Sequence, residues 1–309
     1  ATSGDTGAAA MEAFKGLANV DVFILFPDGR VSDVQRRQMT TVNDANVHAI
    51  ALDGSFDDCQ AILKRMFMNP GFRDGVQLSG VNSINWARVV AQAVYYFTSA
   101  VALGAPHRPV SFAVPTGNFG DILAGWIAKR MGLPVSRLSI ATNANDILAR
   151  TLASGVYETR GVTPTQSPSM DIQVSSNFER LLFEALGREA GGVRALMANL
   201  AQSGRFEIPG PALAAIRAEF DAATLDEAGT TGEIARVYRE TGVIIDPHTA
   251  CGVAAARALL AADPATPAIA LSTAHPAKFP DAVRRAIGVT APLPGHLAHL
   301  MDAPEMMTR

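Results

Sequence analysis

The stretch of sequence that decides the fold is Val110-Ser111-Phe112-Ala113-Val114-Pro115-Thr116-Gly117-Asn118-Phe119-Gly120-Asp121. Residues 110–114 are mostly apolar and predict a short buried strand. A loop with two glycines follows, and residues 122–131 carry the pattern of a helix. A strand that passes through a glycine loop directly into a helix is typical of an α/β fold.

The same alternation of strand and helix extends outward in both directions. Apolar, β-branched runs predict strands over residues 20–26, 47–52, 136–141 and 268–272. Helical patterns cover residues 6–17, 32–41, 56–67 and 84–103, and residues 177–240 are predicted to be mostly helical. Strands that alternate with helices predict an α/β fold with a largely parallel sheet.

The composition also suggests how the chain is divided. A break at Gly104-Ala105-Pro106 predicts a boundary between a small domain of residues 1–104 and a large domain of residues 105–309. Residues 159–176 are rich in Thr, Pro and Ser, which predicts a long surface segment or a lid. The chain opens with turn and helix-start residues and no strand before them. We therefore expect the natural protein to continue upstream and to supply a missing part of the large domain.

Composition and charge exclude several classes of function. Of the 309 residues 48% are apolar, and the net charge is -3 with no basic run, which argues against nucleic acid or an anionic membrane as a partner. The most apolar long stretch, residues 89–103, is too short for a membrane span. Cys59 and Cys251 form neither a disulfide framework nor a zinc pattern, and they suit a reducing cytoplasm.

The strongest local signal for chemistry is the loop at residues 115–121. Its glycines allow backbone N–H groups to turn inward, and the start of the following helix adds positive potential, so the loop suits a phosphate. No Lys-Ser/Thr pair follows as in a Walker P-loop, and the spacing differs from the dinucleotide-binding fingerprint. An ordinary strand-to-helix turn explains the same residues, and the spacing alone does not choose between the two.

Two further segments combine polar side chains with a helix start. Residues 2–7, Thr-Ser-Gly-Asp-Thr-Gly, form either an anion cradle for a carboxylate or a plain N-cap. Asn82, Ser83 and Arg88 put an amide, a hydroxyl and a guanidinium around the start of another helix, where they suit a second phosphate. A capped helix with a solvated arginine is the alternative, and in isolation it is the more common arrangement.

Two segments in the last quarter of the chain contain further candidate residues. Residues 271–279, Leu-Ser-Thr-Ala-His-Pro-Ala-Lys-Phe, lie at the carboxyl end of a predicted strand, where α/β folds place ligands. Residues 246–250, Asp-Pro-His-Thr-Ala, predict a helix start first and a site second. A lone His or Lys in such a place is more often structural than catalytic.

Taken together and in this order, these five segments resemble threonine synthase, in its longer bacterial and fungal branch. No single motif is decisive, but the ordered set spans nearly the whole chain and is specific. The resemblance implies a fold-type II pyridoxal-phosphate enzyme with a small and a large α/β domain and the active site in the cleft between them. It also implies conversion of O-phospho-L-homoserine and water to L-threonine and phosphate, in a cytoplasmic monomer or homodimer.

The resemblance assigns a role to each matching residue. The cofactor phosphate would be bound by Gly117, Asn118, Phe119, Gly120 and Asp121, and the pyridine nitrogen by Thr273. Asp5 would lie at the ring hydroxyl, where related enzymes often have an amide, so its protonation state is open. Ser3, Gly4 and Thr6 would hold the substrate carboxylate together with Asp5, and Asn82, Ser83 and Arg88 would hold the substrate phosphate.

One element of the family pattern is missing from this sequence. The lysine that binds the cofactor normally lies upstream of the Thr-Ser-Gly-Asp-Thr-Gly segment, in a His-Gly-Pro-Thr-x-x-Phe-Lys-Asp context. The four lysines here, Lys15, Lys64, Lys129 and Lys278, all lie outside that context. A covalent imine needs a nucleophilic amine at one fixed place. We therefore assign no catalytic lysine and no metal ligand, and we expect this stretch of chain to be inactive alone.

Two rival functions remain open on the sequence. The nearest is another fold-type II enzyme, such as a threonine dehydratase or a cysteine synthase, whose substrates carry no phosphate and leave Asn82, Ser83 and Arg88 without a purpose. The other is a non-catalytic relative that binds a phosphorylated ligand. A cofactor lysine upstream of Ala1 would speak against the second rival.

Overall fold

Parallel β-sheets covered by helices make up this computed structural model, which describes residues 1–2, 4–54 and 56–309. In this part of the chain one sheet has two parallel strands and another has four, and a short antiparallel pair is separate from both. The predicted α/β class with largely parallel sheets is confirmed. None of the helices described combines the length and the apolar character that a membrane crossing requires.

The chain folds into two compact units. The first comprises Ala1–Asn85, Ala277–Pro280 and Thr290–Arg309, and the second comprises Trp86–Pro276 and Asp281–Val289. The division falls before the long helix that starts at Trp86, and not at the predicted boundary after residue 104. The physical reason is that this helix buries Val89, Tyr96 and Ala100 in the core of the second unit.

The first unit has a small parallel sheet with helices around it. Its strands β1 (Val22–Pro27) and β2 (Val47–Leu52) pair in parallel, and a core that includes Met11, Phe26 and Met39 lies against them. A capping box at Ser32 and Gln35 starts α2. The helices of this unit are α1 (Asp5–Phe14), α2 (Asp33–Thr40), α3 (Phe56–Phe67) and α4 (Pro70–Gly75).

The last twenty residues of the chain belong to the first unit. Thr308 forms a parallel bridge with Ile50, and the N–H of Ala51 donates to the carbonyl of Thr308 at 2.8 Å. The carboxylate of Glu305 accepts from the guanidinium of Arg36 and, at 2.7 Å, from the hydroxyl of Thr40. The chain end therefore covers the edge of β2 and contacts α2.

The second unit is built on a four-stranded parallel sheet in the order β7-β4-β3-β8. The central strands alternate between two cores, since Phe112 and Val114 of β3 face one cluster and Ala113 faces another. All six residues of β3 are buried. These strands are β3 (Val110–Pro115), β4 (Val135–Thr142), β7 (Phe220–Thr224) and β8 (Ala268–Ala270).

Helices cover both faces of this sheet. The cluster around Phe112 includes buried residues of α5 (Trp86–Ala102) and α6 (Gly120–Arg130), while the cluster around Ala113 includes those of α12 (Pro247–Ala262). The antiparallel pair is β5 (Val156–Glu158) with β6 (Arg205–Glu207). The remaining helices are α7 (Ile147–Ser154), α8 (Phe178–Ala185), α9 (Ala190–Ser203), α10 (Gly210–Glu219), α11 (Glu227–Thr241) and α13 (Pro280–Ile287).

Candidate functional site

The second unit has a topological switch point between β3 and β8. These strands are parallel neighbours, with Ala113 opposite Ala270. The helix that follows β3, α6, covers one face of the sheet, and the helix that precedes β8, α12, covers the other. Ligands of open α/β sheets bind at the carboxyl ends of strands where the chain switches direction in this way. The glycine loop follows β3 and Thr273 follows β8, so both predicted cofactor segments lie at that edge.

The backbone of the glycine loop is held in an unusual conformation by its own aromatic residue. Phe119, the N-cap of α6, has a φ of 63°, a backbone conformation that residues other than glycine adopt only at a cost in free energy. Its ring is buried and packs against Phe178 and Phe220, with ring centroids at 5.4 and 5.8 Å. Core packing therefore fixes the turn, and any contact that Phe119 makes with a phosphate is through its backbone.

The loop presents a set of backbone donors. Among the residues that the structure describes, no hydrogen bond uses the N–H groups of Gly117, Asn118, Phe119, Gly120 or Asp121. Helix α6 starts at Gly120 and adds the positive end of its dipole at the same place. Free N–H groups at a helix N-terminus form an anion site.

The side chain of Asp121 forms a hydrogen bond with Tyr96 and does not take part in this set of donors. The hydroxyl of Tyr96, on α5, donates to the Asp121 carboxylate at 3.0 Å and lies 2.8 Å from the Asp121 carbonyl oxygen. Burial raises the pKa of Asp121 to about 6, although the hydrogen bond from Tyr96 opposes the shift. If Asp121 helps to hold a phosphate, its backbone N–H is the group that does so.

Asp121→Asn is expected to make the protein more stable at neutral pH, by about 1–2 kcal/mol. Between pH 4 and 6 the folded protein keeps a proton on Asp121 that the unfolded chain has released, so the stability that this proton provides is lost as the pH rises through the window. The amide removes this loss but accepts a weaker hydrogen bond from Tyr96. Urea unfolding at pH 4, 5, 6 and 7 measures the difference between the two proteins.

Tyr96→Phe is the matched control for this prediction. It removes the one contact that lowers the pKa of Asp121, so the pH window should move upward. Parallel stability curves for the wild type and Asp121→Asn from pH 4 to 7 would show that Asp121 does not titrate in this window.

Thr273 lies three residues beyond β8, and its side chain is exposed. Its hydroxyl makes no hydrogen bond to any other residue described in the structure. The N–H of Leu271 donates to the carbonyl of Ala113 at 3.0 Å, which extends the pairing with β3 up to this point. A hydroxyl beside the glycine loop is thus available to a ligand that reaches across the two strand ends.

The end of the segment at residues 159–176, together with Asn177 directly after it, holds the glycine loop. Ser175 donates to the carbonyl of Gly117 at 2.7 Å, and the side chain of Asn177 donates to the carbonyl of Asn118 at 3.0 Å. The predicted surface segment or lid is therefore wrong for its second half, where Ser167, Met170 and Ser175 are buried. Its polar residues form hydrogen bonds inside the unit, which composition alone does not reveal.

In the first unit, Thr2 organises the start of α1. Its buried hydroxyl accepts from the N–H of Gly4 at 3.0 Å and from the N–H of Gly7 at 2.9 Å. Gly4 has a φ of 127°, a conformation that favours glycine. Ser3 lies outside the described residues. The backbone of the predicted carboxylate cradle is thus held in place by Thr2. The Gly4 N–H already donates to the Thr2 hydroxyl, so it is not available to a carboxylate in this arrangement.

Asp5, at the first position of α1, is paired with a lysine. The ammonium of Lys278 lies 2.7 Å from its carboxylate, and the amide nitrogen of Gln35 donates to the same oxygen at 3.1 Å. Lys278 thus has a partner inside the first unit, which the sequence did not predict. Thr6 follows on the same turn.

The predicted phosphate-binding set falls on both sides of the unit boundary. Asn82 and Ser83 belong to the first unit. The side-chain oxygen Oδ1 of Asn82 accepts a hydrogen bond from the backbone N–H of Ile84 at 3.3 Å. Its amide nitrogen is the group that suits a phosphate. Arg88 lies on α5 in the second unit, and burial lowers the pKa of its guanidinium. Helix α5 begins at Trp86 and not at residue 84, because residues 82–85 form a turn of their own.

A separate cavity of about 460 Å³ lies in the second unit beside α6 and α8. Its wall includes Trp86, Trp126, Phe183 and Val193. The predicted cofactor residues are not part of this wall. The cavity is therefore separate from the candidate site.

Comparison with known proteins agrees with the chemistry of this edge of the sheet. The family model described as "Pyridoxal-phosphate dependent enzyme" matches residues 1–270, and the model described as "Threonine synthase, C-terminal" matches residues 249–309. The chain belongs to the pyridoxal-phosphate-dependent enzyme family.

Threonine synthases are among the relatives to which this chain is similar. One from Pseudomonas aeruginosa is 52% identical over 309 residues, covering 100% of the chain and 66% of the relative. One from Saccharomyces cerevisiae is 46% identical over 306 residues, covering 93% and 59%. The chain thus spans less than two thirds of these relatives.

Solved structures give the same picture. The crystal structure of PLP-bound threonine synthase from Brucella melitensis matches with a TM-score of 0.94 at 59% identity, covering 99% of this chain and 66% of that one. The crystal structure of yeast threonine synthase matches with a TM-score of 0.90 at 42% identity, covering 99% of this chain and 65% of that one. A maize serine racemase matches with a TM-score of 0.54 at 18% identity, which shows a shared fold alone. The resemblance found in the sequence is confirmed.

The residues at the switch point fit the cofactor of this family. Five N–H groups and a helix N-terminus match a phosphate, and the Thr273 hydroxyl matches a ring nitrogen. Pyridoxal phosphate as the cofactor is confirmed, and the role of each single residue stays a prediction. In the first unit, the sequence did not reveal what two residues do at the start of α1: Thr2, which resembles any N-cap threonine, and Lys278, whose partner Asp5 lies 273 residues away.

Proposed function

We propose that the whole protein containing this chain is a threonine synthase, which converts O-phospho-L-homoserine and water to L-threonine and phosphate. The observation that carries the proposal is the cofactor-type phosphate loop beside Thr273, in a chain whose 52% identity to a threonine synthase extends over all 309 residues. The rival enzymes with unphosphorylated substrates are not favoured, since three solved structures of enzymes with other names match at only 18%, 15% and 12% identity.

Each residue at the switch point would perform a binding task. Pyridoxal phosphate, when bound, supplies an electron sink that stabilises carbanions. The N–H groups of residues 117–121 would hold its phosphate, and Phe119 keeps them oriented by packing in the core. Thr273 would donate or accept a hydrogen bond at the ring nitrogen, and a neutral hydroxyl does not force that nitrogen to stay protonated.

The substrate would be recognised by its two anionic ends. Asn82, Ser83 and Arg88 would bind its phosphate, which is also the leaving group, so the same contacts would stabilise the charge that develops on departure. Ser3 and Thr6 would bind its carboxylate, while Gly4, whose N–H donates to the Thr2 hydroxyl at 3.0 Å, would shape the turn that presents them. The ion pair of Asp5 with Lys278 compensates the negative charge of Asp5 near that second anion.

A chimeric enzyme tests the proposal. This chain replaces the matching 309 residues of the Pseudomonas aeruginosa threonine synthase, so that the relative supplies the remaining third of its own length. We expect the chimera to release phosphate from O-phospho-L-homoserine and to form threonine in equal amount. The 309-residue chain alone should release none, because no lysine here has the family context.

Arg88→Gln in the chimera should raise the KM for O-phosphohomoserine about tenfold or more, because a charge-assisted contact to phosphate is lost. Arg108→Gln, at an exposed arginine of the same unit, is the control and should change nothing. A chimera that deaminates threonine or releases no phosphate would refute the proposed function. A chimera that binds the cofactor without any turnover would favour a non-catalytic relative.

We also propose that the protein works in the cytoplasm as a monomer or homodimer. Its two cysteines, Cys59 and Cys251, are free and buried, which suits a reducing compartment. Light scattering of the purified protein distinguishes one copy from two, and a larger assembly would contradict the expectation.

A further inference from the structure

The turn Asp246-Pro247-His248-Thr249 at the start of α12 has more interactions than a helix cap requires. Asp246 is fully buried, and its carboxylate accepts from the N–H of His248 at 2.9 Å as an ordinary N-cap does. The side chains of His248 and Thr249, also buried, bond to the same carboxylate. Each of these two side chains then contacts a different loop.

His248 links the turn to Ser169. Its Nδ1 lies 2.8 Å from the Asp246 carboxylate, and its Nε2 accepts from the backbone N–H of Ser169 at 3.2 Å. A backbone N–H can only donate, so Nε2 carries no proton and the proton sits on Nδ1, toward Asp246. The carboxylate therefore selects the tautomer that can hold Ser169.

Ser169 in turn forms the wall of the glycine loop. A Cβ on Gly117 would lie 2.6 Å from the Ser169 carbonyl oxygen and 3.3 Å from the Cα of Met170. The two backbones are therefore in direct contact. By holding Ser169, His248 fixes the surface on which the phosphate loop rests.

Thr249 links the same turn to the other strand end. Its hydroxyl donates to the second oxygen of Asp246, and its oxygen lies 3.2 Å from the hydroxyl oxygen of Ser272. Because the Thr249 proton goes to the carboxylate, Ser272 is the donor in that pair. Ser272 directly precedes Thr273, so this contact fixes the backbone that presents the Thr273 hydroxyl.

Close packing one turn further along α12 supports the same arrangement. A Cβ on Gly252 would lie 3.2 Å from the ring of Pro115 and 3.6 Å from the carbonyl oxygen of Leu271. These residues end β3 and begin the segment after β8. The start of α12 thus touches the exit of both strands.

We infer that His248 and Thr249 are positioning residues that set the two halves of the cofactor site from one buried carboxylate. His248 sets the phosphate loop through Ser169, and Thr249 sets Thr273 through Ser272. The inference rests on the proposed assignment of the loop at residues 117–121 to the cofactor phosphate and of Thr273 to the ring nitrogen.

Two small ligands test the role of His248 and the role of Thr249 separately. Pyridoxine 5′-phosphate carries the phosphate and the ring nitrogen but no aldehyde that would react with surface lysines, and inorganic phosphate carries the phosphate alone. Calorimetric titration of the chimera described above should show that His248→Ala weakens both probes about tenfold, near 1.4 kcal/mol. His248→Gln keeps an acceptor for the N–H of Ser169, so it should weaken the binding of the two probes less than His248→Ala does. Thr249→Val should weaken pyridoxine 5′-phosphate and leave inorganic phosphate unchanged.

Thr151→Val is the matched control for Thr249→Val. Thr151 is fully buried too, but its hydroxyl donates to Ile147 of its own helix at 2.7 Å. It should lower stability without changing either affinity. Backbone amide NMR shifts of the ligand-free proteins provide a second measurement, with changes expected at Gly117 for His248→Ala and at Thr273 for Thr249→Val.

Three outcomes decide the matter. Loss of stability with unchanged affinities and unchanged amide shifts at Gly117 and Thr273 would overturn the inference and leave a purely structural turn. Equal weakening of both probes by Thr249→Val would overturn its assignment to the ring side. If the wild type binds neither probe, the cofactor assignment itself is wrong, and the amide shifts still decide whether the turn positions the two loops.

Discussion

Gly117→Ala is expected to weaken cofactor binding by about a hundredfold or more, near 2.7 kcal/mol. The added Cβ would lie 2.6 Å from the carbonyl oxygen of Ser169, closer than real Cβ atoms approach. The atom that blocks it belongs to the backbone, and the hydroxyl of Ser175 holds the Gly117 carbonyl at 2.7 Å, so neither backbone can give way cheaply. The loop must move, and its N–H groups move with it. Titration with pyridoxine 5′-phosphate measures the loss.

Gly161→Ala is the control for this substitution. Gly161 belongs to the segment that contacts the loop, but a Cβ there would meet nothing within 4 Å. It should bind the probe as the wild type does. Wild-type affinity in Gly117→Ala would mean that the backbone of residues 169–170 does not form the wall of the phosphate site.

The parts of the fold that the sequence predicted are those set by short-range patterns. Strand β3 and the glycine loop were found because a buried run, two glycines and a helix start follow one another within a dozen residues. Helix α3 was predicted at its observed bounds, residues 56–67. Strand β7 was missed, since Phe-Asp-Ala-Ala-Thr has neither a clear alternation nor a β-branched run, and pairing with β4 is what makes it a strand.

The parts of the site that the sequence could not predict depend on contacts between distant residues. His248 reaches Ser169 across 79 positions, and Lys278 reaches Asp5 across 273. The direction of a side chain is equally hidden, as with Asp121, which belongs to the loop motif and yet bonds to Tyr96. A motif therefore identified the backbone that we propose as the cofactor-phosphate site, while the side chains that contact this backbone were found only in the structure.

Gly125→Ala should lower the free energy of unfolding by about 3 kcal/mol through overpacking between α5 and α6. Its Cβ would lie 2.3 Å from Cε1 and 2.7 Å from Cζ of Tyr96. The Tyr96 ring is fully buried, packs on Phe112 with centroids at 4.7 Å and bonds through its hydroxyl to Asp121, so it has no free direction in which to move. In a helix interior, alanine alone would add about 1 kcal/mol, which the clash outweighs. Urea unfolding gives the difference.

Gly232→Ala separates these two effects. Gly232 lies in the interior of α11, and a Cβ there would meet nothing within 4 Å, so alanine should stabilise the protein by about 0.5–1 kcal/mol. Tyr96→Leu provides the second test, because a smaller side chain makes room for the new methyl group. The double variant with Gly125→Ala should lose at least about 1 kcal/mol less than the sum of the two single losses. Additive losses, or a neutral Gly125→Ala, would mean that α5 and α6 are not packed as closely at Gly125 and Tyr96 as the distances indicate.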